Sequence, residues 1–194
     1  DAFNRASFND EVWIRGNRTY YPSTTGSTSD PRLNCFTIDN GVRVYGGFRG
    51  RETLLSERPI NQKELFLSVI SGNIGNPFAR EDNCYHVITY NQDVFLDRVV
   101  IIDGFADLEL HLAENTQALH SYGAALITDD IFSPSDVRLN EVIFADNVAL
   151  NGGALWFGGT YLPSSRVNVR ITESLFEFNA AIDGKFEGGY GAAI

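Results

Sequence analysis

Phe144-Ala145-Asp146-Asn147, followed by Asn151-Gly152-Gly153-Ala154-Leu155-Trp156, is the stretch on which the reading of this chain turns. It returns as Phe176-Glu177-Phe178-Asn179, followed by Gly189-Tyr190-Gly191-Ala192-Ala193-Ile194. Tyr122-Gly123-Ala124-Ala125-Leu126 is an earlier member of the glycine half. The other half has earlier kin in Val44-Tyr45-Gly46-Gly47-Phe48, Ile70-Ser71-Gly72-Asn73 and Ile102-Asp103-Gly104-Phe105. In each, apolar residues run into Gly, Asn or Asp, which tolerate positive φ, so one sharp bend is expected to recur. The bends at Asn73, Phe105, Asn147 and Asn179 stand roughly 30 to 40 residues apart, which is a repeat, though an uneven one.

Between the bends lie short runs rich in β-branched and aromatic residues, such as Val12-Trp13-Ile14, Phe36-Thr37-Ile38, Val99 to Ile102 and Val167 to Ile171. Turn residues bound them, so they read as strands. Helical periodicity is confined to Asp1–Ser7 and a stretch around Leu108–Leu119. The chain is all-β. A sandwich would show tight hairpins with Asn-Gly or Asp-Gly loops. Asp-Gly occurs only at Asp103-Gly104 and Asp183-Gly184, and only the first lies between strand-like runs; Asn-Gly occurs at Asn40-Gly41 and Asn151-Gly152, the second inside the recurring glycine motif. A parallel β-helix, a solenoid whose coils bury their faces against one another, is the better fit.

Composition narrows the function. The 194 residues suffice for one domain with a real core, and 43% of them are hydrophobic. Acidic residues outnumber basic ones 25 to 15, for a net charge of -10. That balance argues against a nucleic-acid partner, which wants a basic face. Aliphatic runs are too short to span a membrane. The basic residues are nearly all Arg, with Lys only at Lys63 and Lys185. The opening Asp1-Ala2-Phe3 and the lack of Met suggest a processed product or a segment of a longer protein. Cys35 and Cys84 permit one internal disulfide, or two small buried side chains. Their contexts, Asn34-Cys35-Phe36 and Asn83-Cys84-Tyr85, suggest equivalent places in two repeats.

In a β-helix, like residues of successive coils stack about 4.8 Å apart into internal ladders. An Asn at a bend can join such a ladder, its amide satisfying turn groups that would otherwise be buried unpaired. Asn73, Asn147 and Asn179 therefore read as structural, and Gly46, Gly47, Gly104, Gly152, Gly153 and Gly191 as corner residues. Trp13 and Trp156 are expected in the core rather than on a sugar-stacking platform.

The paired motifs of Phe144 to Leu155 and Phe176 to Ile194 resemble the FxxN and GGA[ILV] repeats of polymorphic outer membrane proteins. The N-terminal half resembles a bacterial right-handed parallel β-helix surface domain. It does so through Asp10-Glu11-Val12-Trp13-Ile14, the run from Asn40 to Thr53, Val69 to Gly75, Tyr85-His86-Val87-Ile88 and Asp103-Gly104-Phe105. Gly191-Ala192-Ala193 departs from Gly-Gly-Ala, and the insertion at 106–120 has no counterpart. The resemblance implies a secreted or cell-surface protein used in adhesion, surface coats or passenger domains.

Parallel β-helices also carry polysaccharide lyases and hydrolases, which need paired carboxylates. The pairs on offer are Asp97 with Asp103, Asp129 with Asp130, and Asp146 with Glu173 or Glu177. Asp129-Asp130, with Arg170 as a basic companion, is the most suggestive set. No Gly-His-Gly or Arg-Ile-Lys companion accompanies it. The loop acids supply oxygens for a structural Ca²⁺, but no D-x-[DN]-x-[DN]-G loop is present, and neither a metal nor another cofactor is expected. Asn17-Arg18-Thr19 is a glycosylation sequon.

The expected architecture is thus a single β-helix domain over 1–194, with an N-terminal cap at 1–9 and Phe3 facing the first coil. The chain stops in mid-repeat at Gly191-Ala192-Ala193-Ile194, so further coils or a second copy are expected on that edge. The expected function is a non-catalytic adhesin or a structural unit of a surface layer or filament, meeting a surface glycan or protein receptor. The alternative is a carbohydrate-active β-helix, either a lyase or hydrolase or a sugar-binding relative.

Overall fold

A computed structural model of the chain describes residues 2–23, 30–39, 41–59, 66–108, 121–128, 135–157, 166–182 and 191–194. Among these the regular structure is almost all strand, and the helices are single 3-10 turns at Phe3–Arg5, Pro31–Leu33 and Leu55–Glu57. The strands fall into four sheets, and every pairing is parallel. The first sheet runs β1 (Glu11–Arg15), β4 (Arg43–Phe48), β7 (Val94–Asp97), β11 (Ser135–Asn140), β15 (Val167–Thr172). The second runs β2 (Arg18–Tyr20), β5 (Ser68–Ser71), β8 (Val99–Ile102), β12 (Ile143–Ala145), β16 (Leu175–Glu177). The third holds β9 (Phe105–Ala106), β13 (Val148–Ala149) and β17 (Ala180–Ala181). The fourth holds β3 (Phe36–Ile38), β6 (Ile88–Tyr90), β10 (Leu126–Thr128) and β14 (Leu155–Trp156).

The chain visits these sheets in one order, again and again. The steps along the column Glu11, Arg43, Phe95, Arg138, Arg170 are 32, 52, 43 and 32 residues. A pass therefore needs no more than 32 residues, and longer passes carry connections such as 49–67 and 107–125 without loss of register. The strands are short because alternate residues face inward, and each pass supplies only one or two interior side chains per sheet.

The core is a set of columns. Val12, Val44, Leu96, Leu139 and Ile171 line up on the first sheet, and Tyr20, Ile70, Ile101, Phe144 and Phe176 on the second. Members from the middle passes are almost wholly buried, those of the outer passes only in part. Phe144 and Phe176 stack with centroids 4.9 Å apart. Full burial of such side chains stabilises by about 1.5–3 kcal/mol each.

Left-handed residues recur at three corners. Between the first and second sheets they are Asn17, Arg98, Glu141 and Glu173. Between the second and third they are Asp103, Asp146 and Phe178, and ahead of the fourth sheet Gly123, Gly152 and Gly191. So the bend residue is the one before Asn147 and Asn179, not the asparagine itself. For a non-glycine residue this conformation costs about 1–2 kcal/mol. Hydrogen bonds to the next pass help offset it, as where Arg98 N donates to the Asn140 carbonyl (3.0 Å) and Glu141 N to that of Thr172 (3.0 Å).

Several expectations need correction. Gly46 and Gly47 lie inside β4, not at a corner. A methyl group on Gly46 would run into the Arg98 carbonyl of the next pass, so the requirement there is close approach rather than a turn. Cys35 and Cys84 are not equivalent: Cys35 precedes Phe36, which pairs with Ile88, whereas Cys84 precedes Ile88 by four positions. Trp13 and Trp156 pack on neighbouring aromatics rather than in the core, Trp13 on Phe48 (4.6 Å) and Trp156 on Tyr122 (4.4 Å). Of the segment 106–120, Ala106 closes β9, and 109–120 lie outside the described residues. Of 1–9, the described residues 2–9 hold a 3-10 turn at Phe3–Arg5, whose Phe3 meets Phe36 edge to face at 5.7 Å.

Candidate functional site

Asp129 and Asp130 lie outside the described residues. Arg170 is exposed on β15, with Arg138 as its Cα partner. Arg138 donates to Asp136 Oδ2 (3.0 Å), and Asn168 Nδ2 donates to Asp136 Oδ1 (3.1 Å). Those two bonds hold the exposed Asp136 carboxyl below its usual value, the Asn168 amide contributing most.

The other carboxylates divide differently from the sequence pairing. Asp97 is buried and forms an ion pair with Arg58, whose guanidinium lies over the Tyr45 ring at 5.6 Å. Asn140 Nδ2 donates to Asp97 Oδ2 (2.8 Å), and Thr172 Oγ1 donates to Asn140 Oδ1 (2.8 Å). Asp97, Asn140 and Thr172 thus form one polar column on successive passes, with Arg58 pinning the stretch at 49–59 to it. Asp97 is therefore committed to Arg58 and Asn140 rather than to Asp103.

Asp103 and Asp146 are the carboxylates the fold brings together. They occupy the same corner on successive passes and line a cleft of about 180 Å³ with Arg80, Asn73 and Asn83. Burial pushes the Asp103 carboxyl up and the neighbouring Asp146 adds to this, while a bond from Ser71 Oγ (2.7 Å) and the Arg80 charge pull it down. A carboxyl of raised pKa beside a second carboxylate is the pattern of an acid/base pair. Here both acids first serve the corner, since Asp tolerates the left-handed conformation. The sequence already sets both acids on the recurring bend, in Ile102-Asp103-Gly104-Phe105 and Phe144-Ala145-Asp146-Asn147, but with 43 residues between the two stretches it did not pair them with each other.

Compared with protein-family models, curated proteins and solved structures, the chain matches none.

The residues read as structural sit as follows. Asn147 is fully buried; Gly104 N donates to its Oδ1 (3.0 Å). Its amide hydrogens are shared among the Ile101 carbonyl, the Ala145 carbonyl and Asn179 Oδ1, at 2.9–3.0 Å. Asn179 Nδ2 donates in turn to the Phe144 carbonyl (2.8 Å). Asn73 follows β5, its N–H donating to Ser71 Oγ (3.1 Å). Gly152 and Gly191 take φ of 58° and 62° at equivalent corners, and Gly153 N donates to the Gly191 carbonyl (2.9 Å).

Cys35 and Cys84 are free thiols, Cys84 buried and Cys35 half-buried. Burial pushes the Cys84 thiol strongly up. Asn17 is exposed at its corner. His86 is buried just ahead of β6, with Nδ1 3.1 Å from the Gly123 carbonyl oxygen. Among the described residues no three His, Cys, Asp or Glu side chains cluster to hold a metal ion, and no helix is long and apolar enough to cross a membrane.

A further cluster escaped the sequence reading altogether: Arg15, Arg18, Arg49 and Arg51 line one open cleft. The pairs Arg15-x-x-Arg18 and Arg49-x-Arg51 were the available signal, but nothing local joins them.

Proposed function

We propose that this chain is a right-handed parallel β-helix serving as a non-catalytic extracellular or cell-surface module, in adhesion or as a structural unit of a surface layer or filament. The observation that carries the reading is the Asn147–Asn179 ladder, which falls on the very motif that resembles the surface-protein repeats. The parallel sheets, visited in one repeating order, support a helical path. The near-universal hand of parallel crossovers supports a right-handed one. Most polar side chains that the fold gathers hold backbone or one another across passes, as a scaffold requires.

Among the described residues, the outer strands of the first, second and third sheets have no strand neighbour on one edge, which supports end-to-end association or continuation by further coils. Sedimentation velocity over a wide concentration range tests assembly, and binding to immobilised glycans and cell-surface proteins tests adhesion. Depolymerisation of an acidic polysaccharide, abolished by Asp129→Asn, would overturn the non-catalytic reading.

A further inference from the structure

Four arginines meet where the first two passes turn from the first sheet into the second. Arg15 closes β1 and Arg18 opens β2, on either side of the left-handed Asn17. Arg15 pairs with Phe48, so Arg49 and Arg51 begin the 49–67 connection beside that corner. With Gly16 and Phe66 they line an open cleft of about 490 Å³. All four side chains are exposed, and the Arg49 guanidinium lies over the Phe66 ring at 5.1 Å.

This gathering runs against the charge of the molecule. The chain has ten more acidic than basic residues, yet Arg15, Arg18 and Arg51 form no ion pair among the described residues. The nearest acid in sequence, Glu52, is turned into the backbone. It accepts the N–H groups of Arg49, Gly50 and Arg51 at 2.9–3.1 Å. That shapes the loop, and the cleft beside it is lined by the four arginines with no acidic residue among the lining. Like charges gathered at one corner repel one another, and an anion placed among them relieves that cost.

We infer that the cleft binds a tetrahedral oxyanion, phosphate or sulfate, either free or carried on a compact ligand. Guanidinium forks match such oxygens in bidentate fashion, and several forks need more oxygens than one carboxylate has. The acidic remainder of the molecule repels a long polyanion, which restricts the ligand to a local group. Phe66 supplies one apolar wall for whatever carries the group. This site stands independently of the module reading, since an anion could bind there whether or not the chain serves as a scaffold.

The test is an NMR titration that follows the arginine Nε–H signals. Sodium sulfate or sodium phosphate should shift those of Arg15, Arg18 and Arg51 saturably, while sodium chloride at matched ionic strength should not. A sulfated disaccharide that binds more tightly than sulfate would assign a ligand-borne group, and equal affinity would assign the free ion. The triple variant Arg15→Ser, Arg18→Ser, Arg51→Ser should weaken binding by roughly tenfold per arginine removed. Non-saturable shifts, equal shifts with chloride, or a folded variant that binds as the parent does would each overturn the proposal. Should the variant fail to fold, the titration of the native protein decides alone.

Discussion

Asn147 and Asn179 occupy one position on successive passes, and the Nδ2 of the first lies 3.0 Å from the Oδ1 of the second. The two are not equal partners. Asn147 is wholly buried and serves three backbone groups, whereas Asn179 is half-buried. Replacing Asn147 with Ala strands the Gly104 N–H and two carbonyls, and should cost about 2–4 kcal/mol in urea unfolding. Asn179→Ala should cost less than half as much. Equal costs would show that the ladder is not what holds this corner.

Gly46 and Gly41 make a pair of opposite kinds. Gly41 has φ of 64° but only ordinary contacts around it, while Gly46 is crowded by the Arg98 carbonyl. Gly41→Ala should cost about 1–2 kcal/mol of conformational strain. Gly46→Ala must push neighbouring passes away from each other, and is expected to lower the melting temperature by more than Gly41→Ala does. A Gly46→Ala protein that melts with the parent would disprove the close approach.

Acid should act on Asp103 and Glu52 in opposite senses. Asp103 is raised above 3.8 by burial, so the folded state holds its proton more tightly than the unfolded one. Its contribution to stability falls as pH rises from the ordinary aspartate value through the raised one, and is unfavourable at neutral pH. Asp103→Asn keeps an acceptor for Ser71, so it should be more stable at pH 7. The pH-dependent component of that gain should vanish in strong acid. Burial alone pushes the Glu52 carboxyl up, but the backbone N–H groups of Arg49, Arg51, Glu52 and Gly50 together outweigh it and bring it down to about 2. Its contribution is present above the ordinary value of 4.5 and is lost as pH falls towards 2. Glu52→Gln should therefore flatten the acid limb of a stability–pH curve, and a steeper limb would contradict the loop geometry.

The thiols should differ sharply in reactivity. Cys84 is buried with its thiolate disfavoured, and Cys35 is half-buried near the hydroxyl of Thr89 (3.5 Å). A thiol-specific reagent should label Cys35 first in the native protein and reach Cys84 only on unfolding. Reductant should leave the melting temperature unchanged. Prompt labelling of Cys84 would place it elsewhere than in the core.

What the sequence made legible was local. Val99 to Ile102 and Val142-Ile143-Phe144 announce strands through their own residue types, and Phe144-x-x-Asn147 marks its corner because amide and apolar residue stand three apart. The bend residue itself was misplaced, since Phe178 adopts φ of 55° where composition would nominate glycine or asparagine. Tertiary hydrogen bonds overrode propensity there. Gly46-Gly47 looked like a turn because close approach and turning ask for the same residue. The Arg58–Asp97 ion pair joins residues 39 positions apart, and nothing in a local window foretells it. Asp103 and Asp146 stand on the same recurring bend, but nothing in either stretch shows that the two bends are neighbours in space.

The unequal passes separate contour from height. The step of 52 residues from Arg43 to Phe95 and the step of 32 from Arg138 to Arg170 each lead to the neighbouring strand of the first sheet, a spacing of about 4.8 Å. The body is therefore a ruler whose divisions do not depend on how much chain lies between them. The stretch at 49–59 carries part of the arginine cleft, while equivalent points on neighbouring passes keep their separation.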